Sequence, residues 1–240
     1  MGRIMLEGVI YSAVANGNWI DLGRMEYRRC WELQKRLWAS RVAGEIADTI
    51  LFVEHDAVIT HGPGFDQTNL LLDEEGYRSR GIQLVATDRG GDVTYHGPEQ
   101  LVIYPIFSLK SHGGDLHKWL RALEETIIVS LGEFGIEGYR FPPHTGVWTN
   151  NRKIAAIGIK VSRWVSLHGI ALNCDNDLSP FNLIIPCGIS NYGVTSLSRE
   201  TGRTVGMAEA MPVVAASFSR VFNMRLTEKS PDEFGVGAKT

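Results

Sequence analysis

Three apolar runs between Gly146 and Asn173 are separated by connections of only two or three residues, and that spacing limits the fold more than any other feature of the chain. The runs are Gly146 to Thr149, Arg152 to Val161 and Val165 to Asn173, with Asn150-Asn151 and Ser162-Arg163 as the turns. A parallel crossover needs a dozen or more residues, whereas antiparallel neighbours need as few as two. The expected fold class is therefore α/β of the α+β type, with a mixed, largely antiparallel sheet flanked by helices.

Helical periodicity marks the flanking elements. Tyr27, Cys30, Trp31, Leu37, Trp38 and Val42 recur at near-helical spacing, and Gly44 follows as a stop. Asp115 is placed to cap a helix from Leu116 to Phe134, with Leu116, Leu120, Leu123, Ile127 and Leu131 on one face and Gly135 at its end. Its charged residues Lys118, Arg121, Glu124 and Glu125 read as a solvated face. A last helix is expected from Met207 to Phe222, and the polar residues 228–240 read as a loose tail. Strands are expected at Thr49 to His55, Ala57 to His61, Ile82 to Ala86 and Leu101 to Phe107.

Composition excludes several functional classes. The 240 residues are 44% hydrophobic and 21% charged, the profile of a globular chain with one sizeable core. A net charge of −3 gives no footprint for nucleic acid. No apolar run is long enough for a bilayer, and Met1 to Glu7 meets an acidic residue before any leader could form, so neither membrane nor export is expected. Three cysteines without a Cys-x-x-Cys pair indicate a reducing, cytoplasmic setting.

Motif chemistry narrows the rest. Gly62-Pro63-Gly64 lacks the Gly-Lys-Ser/Thr ending of a phosphate loop, and the seven histidines show no metal-ligand spacing, so neither cofactor nor metal is expected. Gly-x-Ser-x-Gly is absent, which removes the serine nucleophile elbow. Thiol chemistry remains. Cys30 reads as a small buried hydrophobe, and Asp175 beside Cys174 disfavours a thiolate there. Cys187 stands in a Pro-Cys-Gly turn, where a thiol can meet a substrate. A histidine or a lysine could activate it, and Lys153, at the head of an aliphatic run, is one candidate. Arg89 to Gln100 is the other informative stretch, a bend whose paired glycines let backbone approach a ligand closely.

Taken in order, Arg89-Gly90-Gly91-x-x-Thr94-Tyr95-His96-Gly97-Pro98, Gln100-Leu101, Tyr104-Pro105, Lys153-Ile154-Ala155-Ala156-Ile157-Gly158, His168-Gly169-Ile170-Ala171-Leu172-Asn173 and Pro186-Cys187-Gly188 closely resemble the lipoyl(octanoyl) transferases. The resemblance runs from about Asp21 to Phe222. It implies the fold of lipoate and biotin protein ligases, carried by a single catalytic acyltransferase domain over residues 1–227. It also implies transfer of an octanoyl or lipoyl group from acyl carrier protein to a lysine of lipoyl domains, in dehydrogenase complexes and the glycine-cleavage H protein, as a step of lipoate biosynthesis. Cys187 matches the acyl-thioester nucleophile and Lys153 the lysine that lowers its pKa. Arg89, Gly90, Gly91, Asp92, Val93, Thr94, Tyr95 and His96, with Ala156, Ile157, Gly158, Gly169, Ile170 and Ala171, match the segments lining the acyl site. Glu99 stands where this family usually has glycine, and Asp56-Ala57 replaces a more proline-rich pair. Acidic partners would suit a local basic surface, for which Arg89, Lys110, Lys118, Arg140, Arg152 and Arg163 are candidates. The same fold also serves ATP-dependent ligases, which need no cysteine, and a silent binding protein would keep the pocket without turnover.

Overall fold

The computed structural model describes residues 15–185 and 192–236. Its principal strands are β1 (Ala15–Arg24), β2 (Asp48–Glu54), β6 (Gln100–Ile106), β7 (Tyr139–Phe141), β8 (His144–Thr149), β9 (Arg152–Ser162), β10 (Val165–Asn173) and β11 (Met224–Glu228). They form one eight-stranded sheet in the order β11-β1-β2-β6-β10-β9-β8-β7. Only β11-β1-β2 is parallel, and the pairings from β2 through β7 are antiparallel. A small second sheet contains β3 (Val58–His61), β4 (Gln83–Ala86) and β5 (Val93–His96) in the order β4-β3-β5. The longer helices are α1 (Tyr27–Ala43), α3 (Leu116–Glu133) and α5 (Met207–Val221), with short α2 (Glu74–Arg78) and α4 (Leu197–Thr201). The class read from the sequence is the class observed.

Alternation along the central strands explains the layers. Ile50 and Phe52 of β2, Leu101 and Ile103 of β6, and Ile170 and Leu172 of β10 face α3 and α5, where they meet Leu123, Ile127, Val214 and Phe218. Their neighbours Leu51, Val53, Val102, Tyr104 and Ala171 face α1 and its Cys30, Leu33 and Leu37. Because both faces are covered, β2 and β6 read as unbroken apolar runs rather than alternating ones. Each fully buried Leu, Ile or Phe in these layers contributes about 1.5–3 kcal/mol.

Local signals behave as the residues dictate. Asp115 accepts backbone hydrogen bonds from His117 and Lys118, and Gly44 takes the left-handed conformation (φ 78°) that ends α1. Asn150 and Asn151 both have positive φ (47° and 58°), the geometry that a two-residue hairpin requires. The second turn is displaced by one residue from the expected Ser162-Arg163. Arg163 and Trp164 carry the positive φ values (49° and 63°), and the Trp38 indole N–H donates to Ser162 O at 3.1 Å. A tertiary contact thus outweighs turn propensity there.

Three expectations need correction. Residues 228–240 are not a loose tail throughout, because β11 includes Glu228, Pro231–Phe234 form a capped 3-10 turn, and Val236 is buried against the α1 layer. Glu124 is not solvated. It is fully buried and accepts hydrogen bonds from Arg121, Arg140 and the Gly146 backbone. Arg89 to Gln100 is not one connection, since it contains β5. The sequence reading also missed β1, whose polar Asn16, Asn18 and Asp21 alternate with buried Gly17, Ile20 and Leu22.

Gly169 of β10 lies tight against the backbone of β6. A Cβ there would stand 2.0 Å from Ile103 O and 2.8 Å from Pro105 Cδ, and neither can move without opening the sheet. Gly169→Ala is therefore expected to cost at least the roughly 1–3 kcal/mol of ordinary overpacking, read as a fall in the urea midpoint without a change in slope.

Candidate active site

Lys153 stands near the start of β9 and is only 7% exposed. Its backbone is held from one side by β8. On the other, Lys153 N–H donates to Gly193 O and Thr195 N–H donates to Lys153 O, both at 3.0 Å. Its Nζ lies 5.1 Å from the centre of the Trp148 ring, a favourable cation–π distance. Gly146 (φ 125°) makes room for the stem, because a Cβ there would sit 3.5 Å from Lys153 Cε and 2.6 Å from Ala155 O.

Cys187 lies outside the described residues. The chain before it is anchored by Ile185 N–H donating to Asn69 O, and the chain after it reaches Lys153 at Gly193. The other two thiols are inert. Burial pushes Cys30 and Cys174 up to about 12, and for Cys174 the nearby Glu99 and Asp175 carboxylates add to a rise that burial dominates. Burial, more than the acidic neighbour expected from the sequence, makes Cys174 unsuitable.

The stretch from Arg89 to His96 is divided by the alternation of β5. Thr94 and His96 face the main sheet and line a buried cavity, while Val93 and Tyr95 face away and pack with Ile59, Tyr77 and Phe181. Gly90 N–H donates to Ile159 O at 2.8 Å, so the loop crosses β9 in contact with it. A Cβ on Gly158 would stand 2.8 Å from Gly90 O, which is why this crossing takes glycine. Glu99 has φ 62°, a conformation that favours glycine and explains why its side chain is unusual at that turn.

A chain of buried hydrogen bonds holds the crossing. Arg89 donates to Thr60 O (2.6 Å) and Thr60 Oγ1, and the Thr60 hydroxyl lies 3.5 Å from His96 Nε2. His96 Nδ1 meets Gln100 Oε1 at 2.8 Å, and the Gln100 amide donates to Tyr95 O and Asn173 Oδ1. With the Gln100 N–H groups so used, its oxygen is the acceptor and His96 Nδ1 carries the proton. Burial pulls His96 down to about 3, so the ring is neutral. Asp88, beside the crossing, accepts from Lys160 (2.6 Å) and from His168 Nε2 (2.7 Å). Burial pushes the Asp88 carboxyl up, but the hydrogen bonds from Lys160 and His168 and their charges outweigh it and hold it low. His168 is pulled down by burial despite Asp88, and it occupies positive φ (58°) inside β10, which turns its ring toward Asp88 and Trp31.

Two spaces meet at this crossing. An open groove of about 690 Å³ runs past Lys153, Leu116, Leu120 and His144. A tight inner cavity of about 40 Å³ has Ala156, Gly158, Gly169 and Ala171 along the sheet, with Ile157 and Ile170 also lining it. Arg89, Gly91, Ile157 and Gly158 border both, while Gly90 and Asp92 border the groove. Lys153 lines the open groove and a smaller space that it shares with Thr94, Ala156 and Ala171 of the inner cavity's lining. Tyr27, Tyr104 and His168 line the inner cavity without having been singled out as site residues. Tyr104-Pro105 and His168 lay in quoted motifs, but nothing in the spacing showed which way their side chains turn. Of the six basic candidates for an acidic partner, Arg89 is buried, Arg140 binds Glu124 and Glu125, and Arg152 binds Glu200, while Lys110, Lys118 and Arg163 are exposed. Among the described residues no three His, Cys, Asp or Glu side chains gather as metal ligands, and no helix is long and apolar enough to cross a membrane.

This architecture is that of the lipoate-protein ligases. A solved structure of lipoate-protein ligase A bound with ATP matches with a TM-score of 0.74 over 90% of this chain and 89% of its own, at 17% identity. The bi-partite lipoate protein ligase of Thermoplasma acidophilum, studied with its E2 lipoyl domain, matches with a TM-score of 0.72 over 94% of this chain and 99% of its own, at 15% identity. Such identities establish the fold alone. The sequence profile described as lipoyl protein ligase A/B catalytic domain matches residues 26–219. Octanoyltransferases of Chloroflexus aggregans (46% identical over 85% of this chain and 94% of theirs) and Rubrobacter xylanophilus (49% over 83% and 90%) are similar along nearly their whole length. The chain belongs to the octanoyltransferases of that catalytic family and is an acyltransferase enzyme.

Proposed function

We propose that the protein takes an octanoyl group from acyl carrier protein and transfers it, through a thioester on Cys187, to a lysine of lipoyl domains in dehydrogenase complexes and the glycine-cleavage H protein. The transfer is a cytoplasmic step of lipoate biosynthesis. The observation that carries this reading is the Arg89 crossing, where Arg89, Gly91, Ile157 and Gly158 border both an inner cavity floored by Ala156, Gly169 and Ala171 and the open groove that Lys153 lines, through which a protein-borne group can arrive. In the first half-reaction Lys153 takes the Cys187 proton and the thiolate attacks the carrier thioester. The tetrahedral intermediate then collapses, and the proton passes to the departing carrier thiol. In the second half-reaction Lys153 removes a proton from the acceptor ammonium and releases it to solvent, the free amine attacks the acyl-enzyme, and the second proton of the attacking nitrogen passes to Cys187, which leaves as the thiol as the C–S bond breaks. Thioester exchange is nearly balanced, so the rate gain comes from positioning, and the hydrogen-bonded Arg89 crossing supplies a fixed wall for it.

Incubation with octanoyl carrier protein is expected to add one octanoyl mass, removable by hydroxylamine, and Cys187→Ser is expected to lack that adduct. Intact mass spectrometry reads both, and a Cys187→Ser protein acylated as fast as wild type would remove Cys187 from the mechanism. Exchange of pyrophosphate into ATP on adding free octanoate would instead indicate a ligase.

A further inference from the structure

The inner cavity crosses the sheet rather than following a strand. Its floor of small residues begins on β9 with Ala156 and Gly158, continues on β10 with Gly169 and Ala171, and stops on β6 at Val102 and Tyr104. The register places Ala156 opposite Ala171 and Ala171 opposite Val102, so these residues lie in one row. Two inter-strand steps make that row about 10 Å long. An extended eight-carbon chain has seven bonds, and at about 1.2 Å per bond, the rise of an extended backbone, it reaches roughly 8–9 Å.

The far wall is buried and hydrogen-bonded. The Tyr104 hydroxyl meets His55 Nε2 at 2.9 Å, and the other His55 nitrogen meets Met25 O at 2.7 Å. A carbonyl oxygen can only accept, so His55 Nδ1 carries the proton and Tyr104 donates to Nε2. Burial holds His55 down to about 4, which keeps this arrangement neutral. Tyr27 closes the remaining gap, packing edge-on to His55 (5.1 Å) and stacking on His96 (5.9 Å). Tyr27, His55 and Tyr104 are all at most 3% exposed, so a longer chain could advance only by breaking this buried cluster.

We propose that Tyr27 and Tyr104, braced by His55, form the end stop that sets the length of the acyl chain this enzyme accepts, with Val102 as the floor immediately before it. The assignment rests on the acyl-transfer reading above and adds the residues that determine its specificity. Competition among hexanoyl, octanoyl, decanoyl and dodecanoyl carrier proteins, read as the ratio of adduct masses, tests it. Wild type is expected to prefer octanoyl to decanoyl at least tenfold. Tyr27→Ala is expected to raise the decanoyl-to-octanoyl ratio at least tenfold. Val102→Phe, which shortens the row, is expected to raise the hexanoyl-to-octanoyl ratio by a similar factor. Leu123→Ala, a core change on the opposite face of the sheet, should lower stability without moving these ratios. Ratios unchanged in both folded Tyr27→Ala and folded Val102→Phe would overturn the end stop, as would a wild type that accepts decanoyl as readily as octanoyl. If Tyr27→Ala does not fold, the Val102→Phe ratio decides alone. Absence of any adduct on wild type would instead sink the acyl-transfer reading itself.

Discussion

Replacing Lys153 by methionine is expected to slow formation of the acyl-enzyme by about 10²–10⁴-fold, the usual contribution of a positioned acid–base group. Methionine keeps most of the stem's length and apolar contact, so the space beside Gly146 and Trp148 stays filled. Loss of the cation–π contact removes about 1–2 kcal/mol, partly offset because a buried charge no longer has to be desolvated. Circular dichroism and the urea midpoint should therefore stay near wild type while single-turnover acylation collapses. The residual rate should climb with pH toward about 8.5, where an unassisted thiol ionises by itself. A variant that acylates at the wild-type rate would show that Lys153 is structural.

Asp48→Ala is expected to produce the largest loss of stability, about 3–5 kcal/mol, because it strands buried partners of a carboxylate that is 5% exposed. Asp48 accepts from Arg41 Nε (2.7 Å), His112 Nε2 (2.8 Å) and Ser108 N–H (2.8 Å). It therefore fastens the end of α1, the start of β2 and the chain between β6 and α3 at one point. In a chain of this size the melting temperature should fall on the order of 10 °C. The pH dependence has a definite sign. Burial pushes the Asp48 carboxyl up, but hydrogen bonds from His112, Arg41 and Ser108 outweigh it and hold the group below the usual carboxylate range. A depressed folded pKa means that the stabilisation is complete above the unfolded value of about 3.9 and disappears as pH falls through the folded value. Urea midpoints between pH 7 and pH 3 should fall less steeply for Asp48→Ala than for wild type, and parallel curves would show that Asp48 is not the acid-sensitive clamp.

Legibility in the sequence followed the range of the causes. Asn150-Asn151, Asp115 and Gly44 act through their own backbone, and each marks the boundary it was expected to mark. The span Val165–Asn173 was read with its observed bounds because its neighbours are joined to it by short turns or antiparallel pairing. β1 and β11 escaped notice because their stability comes from each other and from β2, not from apolar content of their own. Glu124 was misread for a similar reason, as its partners Arg140 and Gly146 lie on two other elements, β7 and β8. The described motif residues of β5, β6, β9 and β10 meet around the inner cavity, but its lining also takes Tyr27 from α1, which lies in none of the motifs. No local pattern announces such a meeting.

The parallel pairing at the sheet's edge bears on how the protein is made. β1 registers Ala15 against Met224, so the first described strand waits for the last one. The antiparallel sequence β8-β9-β10 closes through short turns, whereas joining β1 to β11 is among the most non-local pairings the chain makes, and such contacts form slowly. During synthesis the outer edge of β1 stays open until Met224–Glu228 have emerged, and a nascent chain stalled before Met224 exposes that edge, with β1 paired only to β2, to its neighbours.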